Sequence, residues 1–215
     1  MKKIAFFLLA LLTFLNADSA LKLVRLRYDG GGDWYNDPEA LINLAREIKK
    51  RTNIRIDLTT DVVDFKSNAI MNYPFVFITG HGGITFNPSE VARVREYVKR
   101  GGFIYVDDDY GMDKSLRELI KKIFPNDELQ EIPASHPIFN CFYKFPNGLP
   151  KIHKHDDKKP QAFGIFQKKR LVLFYTLESN ISDGWADPQT HNDPPDIRET
   201  AFRMGINIIY YMLTE

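Results

Sequence analysis

Two short apolar runs separated by a helical stretch do most to limit what this chain can fold into. FVFITG (75–80) and FIYVD (103–107) are almost wholly apolar. Runs of that length with no polar alternation are strands buried on both faces, as in parallel sheets. Between them Asn87 is placed to cap a helix, Pro88 takes its first position and Glu90 its third. The spacing carries that helix to about Arg100, where Gly101 and Gly102 end it. A strand, a helix and a strand in succession make a parallel crossover.

The same alternation runs along the rest of the chain. LKLVRLRYD (21–29) reads as a first strand. Asp37 is placed to cap the next helix, with Pro38 first and Ala40, Leu41, Leu44, Ala45 and Ile48 along one face. NIRIDLTT (53–60) reads as a second strand and residues 61–72 as a short helix. Asp108, Asp109, Tyr110 and Gly111 are expected to form a turn after the fourth strand, followed by a helix from Lys114 to Ile123. Residues 127–160 are an irregular connection rich in Pro, His, Asn and Lys. QAFGIFQ and LVLFYTL flank Lys168-Lys169-Arg170 as a β-hairpin, and a final helix spans about 197–213. The expected architecture is α/β, a mainly parallel sheet with helices on both faces.

Ahead of this pattern lies a different segment. Lys2 and Lys3 precede the apolar run Ile4 to Leu15, and small residues follow at Ala17, Ser19 and Ala20. That is the build of a secretory signal peptide, so residues 1–20 are read as a signal and 21–215 as one domain, exported to the periplasm or secreted. No later run is long enough to span a bilayer. A net charge of +1 with interspersed signs argues against nucleic acid as a partner. The lone Cys141, in an alternating apolar stretch, is read as an inert thiol.

In open α/β sheets, sites form outside the carboxyl ends of the strands. The unusual residues of this chain fall there. Gly30, Gly31, Gly32, Asp33, Trp34 and Tyr35 follow the first strand; Gly80, His81, Gly82 and Gly83 follow the third. Asp107, Asp108, Asp109 and Tyr110 follow the fourth, and a long loop with Asp183 and Trp185 follows the hairpin. Asp109, Asp108 and His81 are the candidate catalytic groups, as general bases or ligands of a hard metal. Helix capping is the competing role for one of the aspartates. The glycines, Asp33, Trp34, Tyr35, Tyr110, Asp183 and Trp185 are the candidate ligand contacts. The glycine loop lacks the spacing of a dinucleotide fingerprint and has no phosphate-binding Lys. No His-Glu-x-x-His and no paired cysteines are present, so a divalent metal would have to be assembled across loops. His153 to Asp157 reads as a solvated loop. His136, His191 and Asp193 complete the polar inventory.

The run FVFITGHGGITFNPSEVARVREYVKRGGFIYVDDDYG resembles the central strand–helix–strand of class I glutamine amidotransferase-like domains, including trehalose-utilisation-type proteins. With YDGGGDWYNDP, HPIF and DGW, the chain resembles the bacterial domain-of-unknown-function family 4159 over nearly its whole length. The resemblance implies a flavodoxin-like three-layer sandwich. It does not imply glutamine hydrolysis: where those enzymes carry Gly-x-Cys-x-Gly, this chain has Asp107-Asp108-Asp109-Tyr110-Gly111. A carboxylate cannot form the thioester. The functional readings left are a binding module for a small molecule, carbohydrate or envelope protein, a hydrolase using Asp108 or Asp109 with His81 and a metal ion, and a structural partner acting through residues 127–160.

Overall fold

The computed structural model describes residues 20–215; the expected signal peptide lies outside them, apart from its last residue. The elements are β1 (Val24–Leu26), α1 (Ala40–Arg51), β2 (Asp61–Val63), β3 (Phe75–His81), α2 (Pro88–Lys99), β4 (Phe103–Tyr110), α3 (Asp113–Ile123), β5 (Gln130–Glu131), β6 (Gln161–Gln167), β7 (Arg170–Leu177), α4 (Pro188–His191) and α5 (Pro195–Thr214). They build a seven-stranded sheet in the order β2-β1-β3-β4-β7-β6-β5. The pairs from β2 to β7 are parallel; β6 and β5 add an antiparallel edge. This is a flavodoxin-like three-layer α/β sandwich.

Alternation along the buried strands divides the core into two. Phe75, Phe77, Phe103 and Tyr105 face α1 and α5, whereas Val76, Ile78, Ile104 and Val106 face α2 and α3. Both strand faces are buried, which is why their sequences are continuously apolar. The Asn87 capping box forms as expected: its side chain accepts from Glu90 N, and the Glu90 carboxylate accepts from Asn87 N.

Four local expectations change. The second strand is Asp61–Val63 and not 53–60, where only Ile56 bridges to Leu21. Val62 and Val63 are β-branched and pair with Arg25 and Leu26 of β1, while Lys22 and Tyr73 hold the Asp61 carboxylate at 2.9 and 2.8 Å. The helix expected over 61–72 shrinks to one 3₁₀ turn at Asn68–Asn72, capped by Ser67. Residues 108–110 form no turn, because β4 runs on to Tyr110 beside Gly80 and His81. Asp37 does not cap α1, which begins at Ala40 without a side-chain cap; its carboxylate is taken by His191 Nε2 at 2.8 Å. Among the described residues no helix is long and apolar enough to cross a membrane.

Candidate metal centre

β1 and β3 are adjacent strands whose connections leave on opposite sides of the sheet, and the loops after them meet there. The glycine loop packs directly on the turn after β3: Gly32 N donates to Gly83 O (2.9 Å) and Asp33 N to His81 O (3.2 Å). A side chain at residue 32 would meet Tyr28 Oη, Gly83 O and His81 O at 2.7–2.9 Å, so only glycine permits this approach. The contact brings the Asp33 carboxylate to His81, with Oδ2 at 3.1 Å from Nδ1. The same ring nitrogen lies 3.2 Å from Asp109 Oδ2.

The three aspartates at the end of β4 separate by strand alternation. Asp107 and Asp109 turn toward the loop after β7. Asp107 accepts from Ser182 N (2.7 Å), Ser182 Oγ (2.8 Å) and Thr176 Oγ1 (2.5 Å), and burial pushes its carboxyl up to about 6. Asp109, whose side chain is 1% exposed, accepts from Asn180 Nδ2 at 3.0 Å and meets His155 Nε2 at 3.3 Å. Asp108 turns the other way, accepting from Met112 N (2.9 Å) at the start of α3 and from Tyr175 Oη (3.2 Å); burial raises its carboxyl to about 6. Asp109 is thus with His81 and the glycine loop, while Asp108 secures the following helix.

The connection before β6 and the loop after β7 complete the cluster. The His153–Asp157 loop is largely exposed as expected, but the His153 and His155 side chains, each 28% exposed against 95% for Asp157, turn into the cluster. Their rings meet at 5.3 Å, His153 meets His191 at 5.4 Å, and His155 meets His81 at 5.6 Å. Four of the five histidines therefore converge. With the aspartates they form three overlapping triads: His81–Asp109–His155, His153–His155–Asp183 and Asp37–Asp183–His191. In each, one ligand atom per residue lies within 4.8 Å of the others. Imidazole and carboxylate donors this close together are the set that zinc takes at roughly 2.0–2.2 Å.

Asp183 is the centre of this arrangement. Its side chain is 1% exposed, and neither carboxylate oxygen has a hydrogen-bond partner. Burial, and then the charges of Asp109, Asp107, Asp37 and Asp193, push its carboxyl up to about 10. A buried carboxylate without donors is costly unless a cation balances it. The supporting contacts suit a cation. Asp193 holds His153 Nδ1 at 3.2 Å and Asp33 holds His81 Nδ1, the carboxylate–imidazole pairing that orients ligating histidines. Asp37, Asn180 and Asn192, with φ of 44°, 56° and 57°, sit in the left-handed region beside the cluster, a backbone cost that collects at functional sites.

The remaining candidate contacts are placed as follows. Trp185 is fully buried; its indole packs on Phe77 and Tyr105 and donates to Ala201 O at 2.9 Å. The Trp34 carbonyl accepts from Arg25, and Tyr35 is 65% exposed. Tyr110 packs against His155 at 5.0 Å with the rings tilted and, with Asp109, Gly111, Lys114, Lys158 and Glu178, lines a cleft of about 510 Å³. Gly80 and Gly82, with φ of 143° and 83°, shape the turn that sets His81 against Asp109, and Gly30, Gly31 and Gly83 lie where the two loops touch.

No curated protein matches this chain. Residues 22–213 match the family described as Domain of unknown function (DUF4159). That span covers every element and every residue of the cluster, and the chain belongs to the DUF4159 family.

Proposed function

We propose that this protein binds a divalent transition metal at the carboxyl ends of its parallel strands and uses it to activate water for hydrolysis. The observation that carries the reading is the Asp183 carboxylate, buried without a hydrogen-bond donor among histidines. Mixed imidazole and carboxylate ligands suit zinc, manganese or iron better than calcium or magnesium. His153, His155 and Asp183 supply three ligands and leave a position for water. A bound ion lowers the pKa of that water toward about 7. His81, 43% exposed and held by Asp33 and Asp109, would take the proton. Such an ion would supply a hydroxide nucleophile for a carbonyl or phosphoryl centre, and His81 would return the proton to the group that leaves as that bond breaks.

An amidotransferase-like origin fits the same reading: the resemblance would put Asp109 at the position of the cysteine in those enzymes, and its carboxylate meets His81 and His155. The basic and apolar residues from Lys2 to Ala20 support export, so the metal would be loaded outside the cytoplasm.

The test is direct. Chelator-treated protein is dialysed against Zn²⁺, Mn²⁺ or Fe²⁺, and bound metal is measured by elemental analysis. Hydrolysis of p-nitrophenyl acetate and bis(p-nitrophenyl) phosphate is then followed. Ion-dependent turnover abolished in His81→Ala, with the ion still bound, supports the proposal. Protein that retains no ion refutes it, and an ion without turnover reduces it to metal binding.

A further inference from the structure

We infer that the Asp37–Asp183–His191 triad holds a second divalent ion, bridged through the Asp183 carboxylate to the ion at His153 and His155. This rests on the metal-binding part of the proposed function. Two orphaned oxygens on one buried carboxylate are one more than a single monodentate contact uses. The two triads that share Asp183 approach it from different elements, His153 and His155 from the connection before β6, Asp37 and His191 from the segments before α1 and before α5.

The deeper triad is built to hold its shape. Arg25, 5% exposed, donates to the Asp37 carbonyl at 2.7 Å and to that of Asn36, which keeps residue 37 at its φ of 44°. His191 is fixed at the end of α4 with Nε2 on Asp37 and Nδ1 3.9 Å from Asp183 Oδ2. The donor set points the same way. Asp37, Asp109, Asp183 and Asp193 have side chains 7%, 1%, 1% and 8% exposed. Each faces a histidine: His191, His155, His191 and His153 respectively. Four buried carboxyl groups, each beside an imidazole, offer more ligand atoms than one ion would take. A carboxylate shared between ions about 3.5–4 Å apart is the arrangement of two-metal hydrolases. The triads also differ in access. Asp37 and Asp183 are buried, whereas His81, on the side of the shallower ion, has a side chain 43% exposed.

The experiment titrates the full mature chain with Mn²⁺ alone, reading bound metal by elemental analysis and its electron paramagnetic resonance at low temperature. The expected result is two ions per chain and a spin-coupled spectrum in the wild type. His191→Ala should keep one ion per chain with an uncoupled six-line spectrum, and Asp37→Asn, which keeps the side-chain volume, should behave alike if His191→Ala misfolds by circular dichroism. One ion in the wild type, unchanged in these variants, overturns the second site and leaves the single-ion reading standing. Loss of every ion from a folded Asp37→Asn or His191→Ala chain also overturns it. A wild type that binds none removes both readings.

Discussion

Replacing Asp183 by Asn should move stability in opposite directions with and without metal. Without an ion, wild-type Asp183 is buried with no hydrogen-bond partner on either oxygen, and burial with the charges of Asp109, Asp107, Asp37 and Asp193 raises its carboxyl to about 10, so folding at neutral pH must protonate a group that is ionised in the unfolded chain. The amide has nearly the same shape, no charge, and an NH₂ that can donate to those carboxylates. An unsatisfied buried polar group costs about 1–3 kcal/mol and a charged one more. Metal-free Asp183→Asn should therefore be more stable than metal-free wild type by about that amount. For a chain of this length, each kcal/mol moves Tm by about 2–4 °C. With Zn²⁺ or Mn²⁺ at about one hundred times its Kd, the wild type should gain about 2.7 kcal/mol, or roughly 5–11 °C, and the variant almost nothing. Differential scanning calorimetry with chelator and with ion gives both numbers. A variant less stable than wild type without metal, yet still stabilised by the ion, would refute the reasoning.

Other parts of the fold make separate predictions. Asn207, fully buried on α5, accepts from Tyr143 N and donates to the carbonyls of Ile138 and Tyr143. Asn207→Leu should cost about 3 kcal/mol by leaving those groups unpaired and should speed thiol labelling of Cys141, whose Sγ meets Asn207 O at 3.3 Å; an unchanged labelling rate would show that Asn207 does not pin this connection. Asn87→Ala should lower stability by about 1 kcal/mol in urea, since it removes the capping box of α2; no shift in the midpoint would contradict that role. His136 packs on Phe166 and Tyr211, and burial lowers its pKa below the ordinary value. Its contribution is therefore complete above about pH 6.5 and lost as pH falls through the folded value. Unfolding free energies should fall less between about pH 7 and pH 5 in His136→Phe than in wild type, and equal slopes would exclude the residue as a source of acid sensitivity.

The sequence makes the scaffold legible where local signals agree. The apolar runs in β3 and β4 and the Asn87 cap of α2 all have short-range causes. The edge of the sheet is less legible: β2 has three residues, and its place depends on pairing with β1 rather than on its own periodicity. At the site, loop position brought His81, Asp109, Asp33 and Asp183 forward, because strand ends in such a sheet converge. His153, His155 and His191 were hidden by distance along the chain. A His-Lys-His-Asp-Asp tract in a polar connection looks solvated, as most of it is, and nothing local shows that its imidazoles turn in to meet Asp109, 46 positions from His155. Asp37 shows the same effect. An aspartate before a proline has the local form of a helix cap, but His191, 154 positions away, takes its carboxylate. The useful clue was composition by place, as every histidine of the cluster lies in a loop or at the end of an element.

The most direct test of the central claim is anomalous diffraction from crystals of the mature protein grown with Zn²⁺, recorded on both sides of the zinc edge. An anomalous peak is expected about 2.0–2.2 Å from nitrogen atoms of His153 and His155 and from an oxygen of Asp183. Crystals that bind zinc elsewhere, or show no anomalous density among these residues, would contradict it.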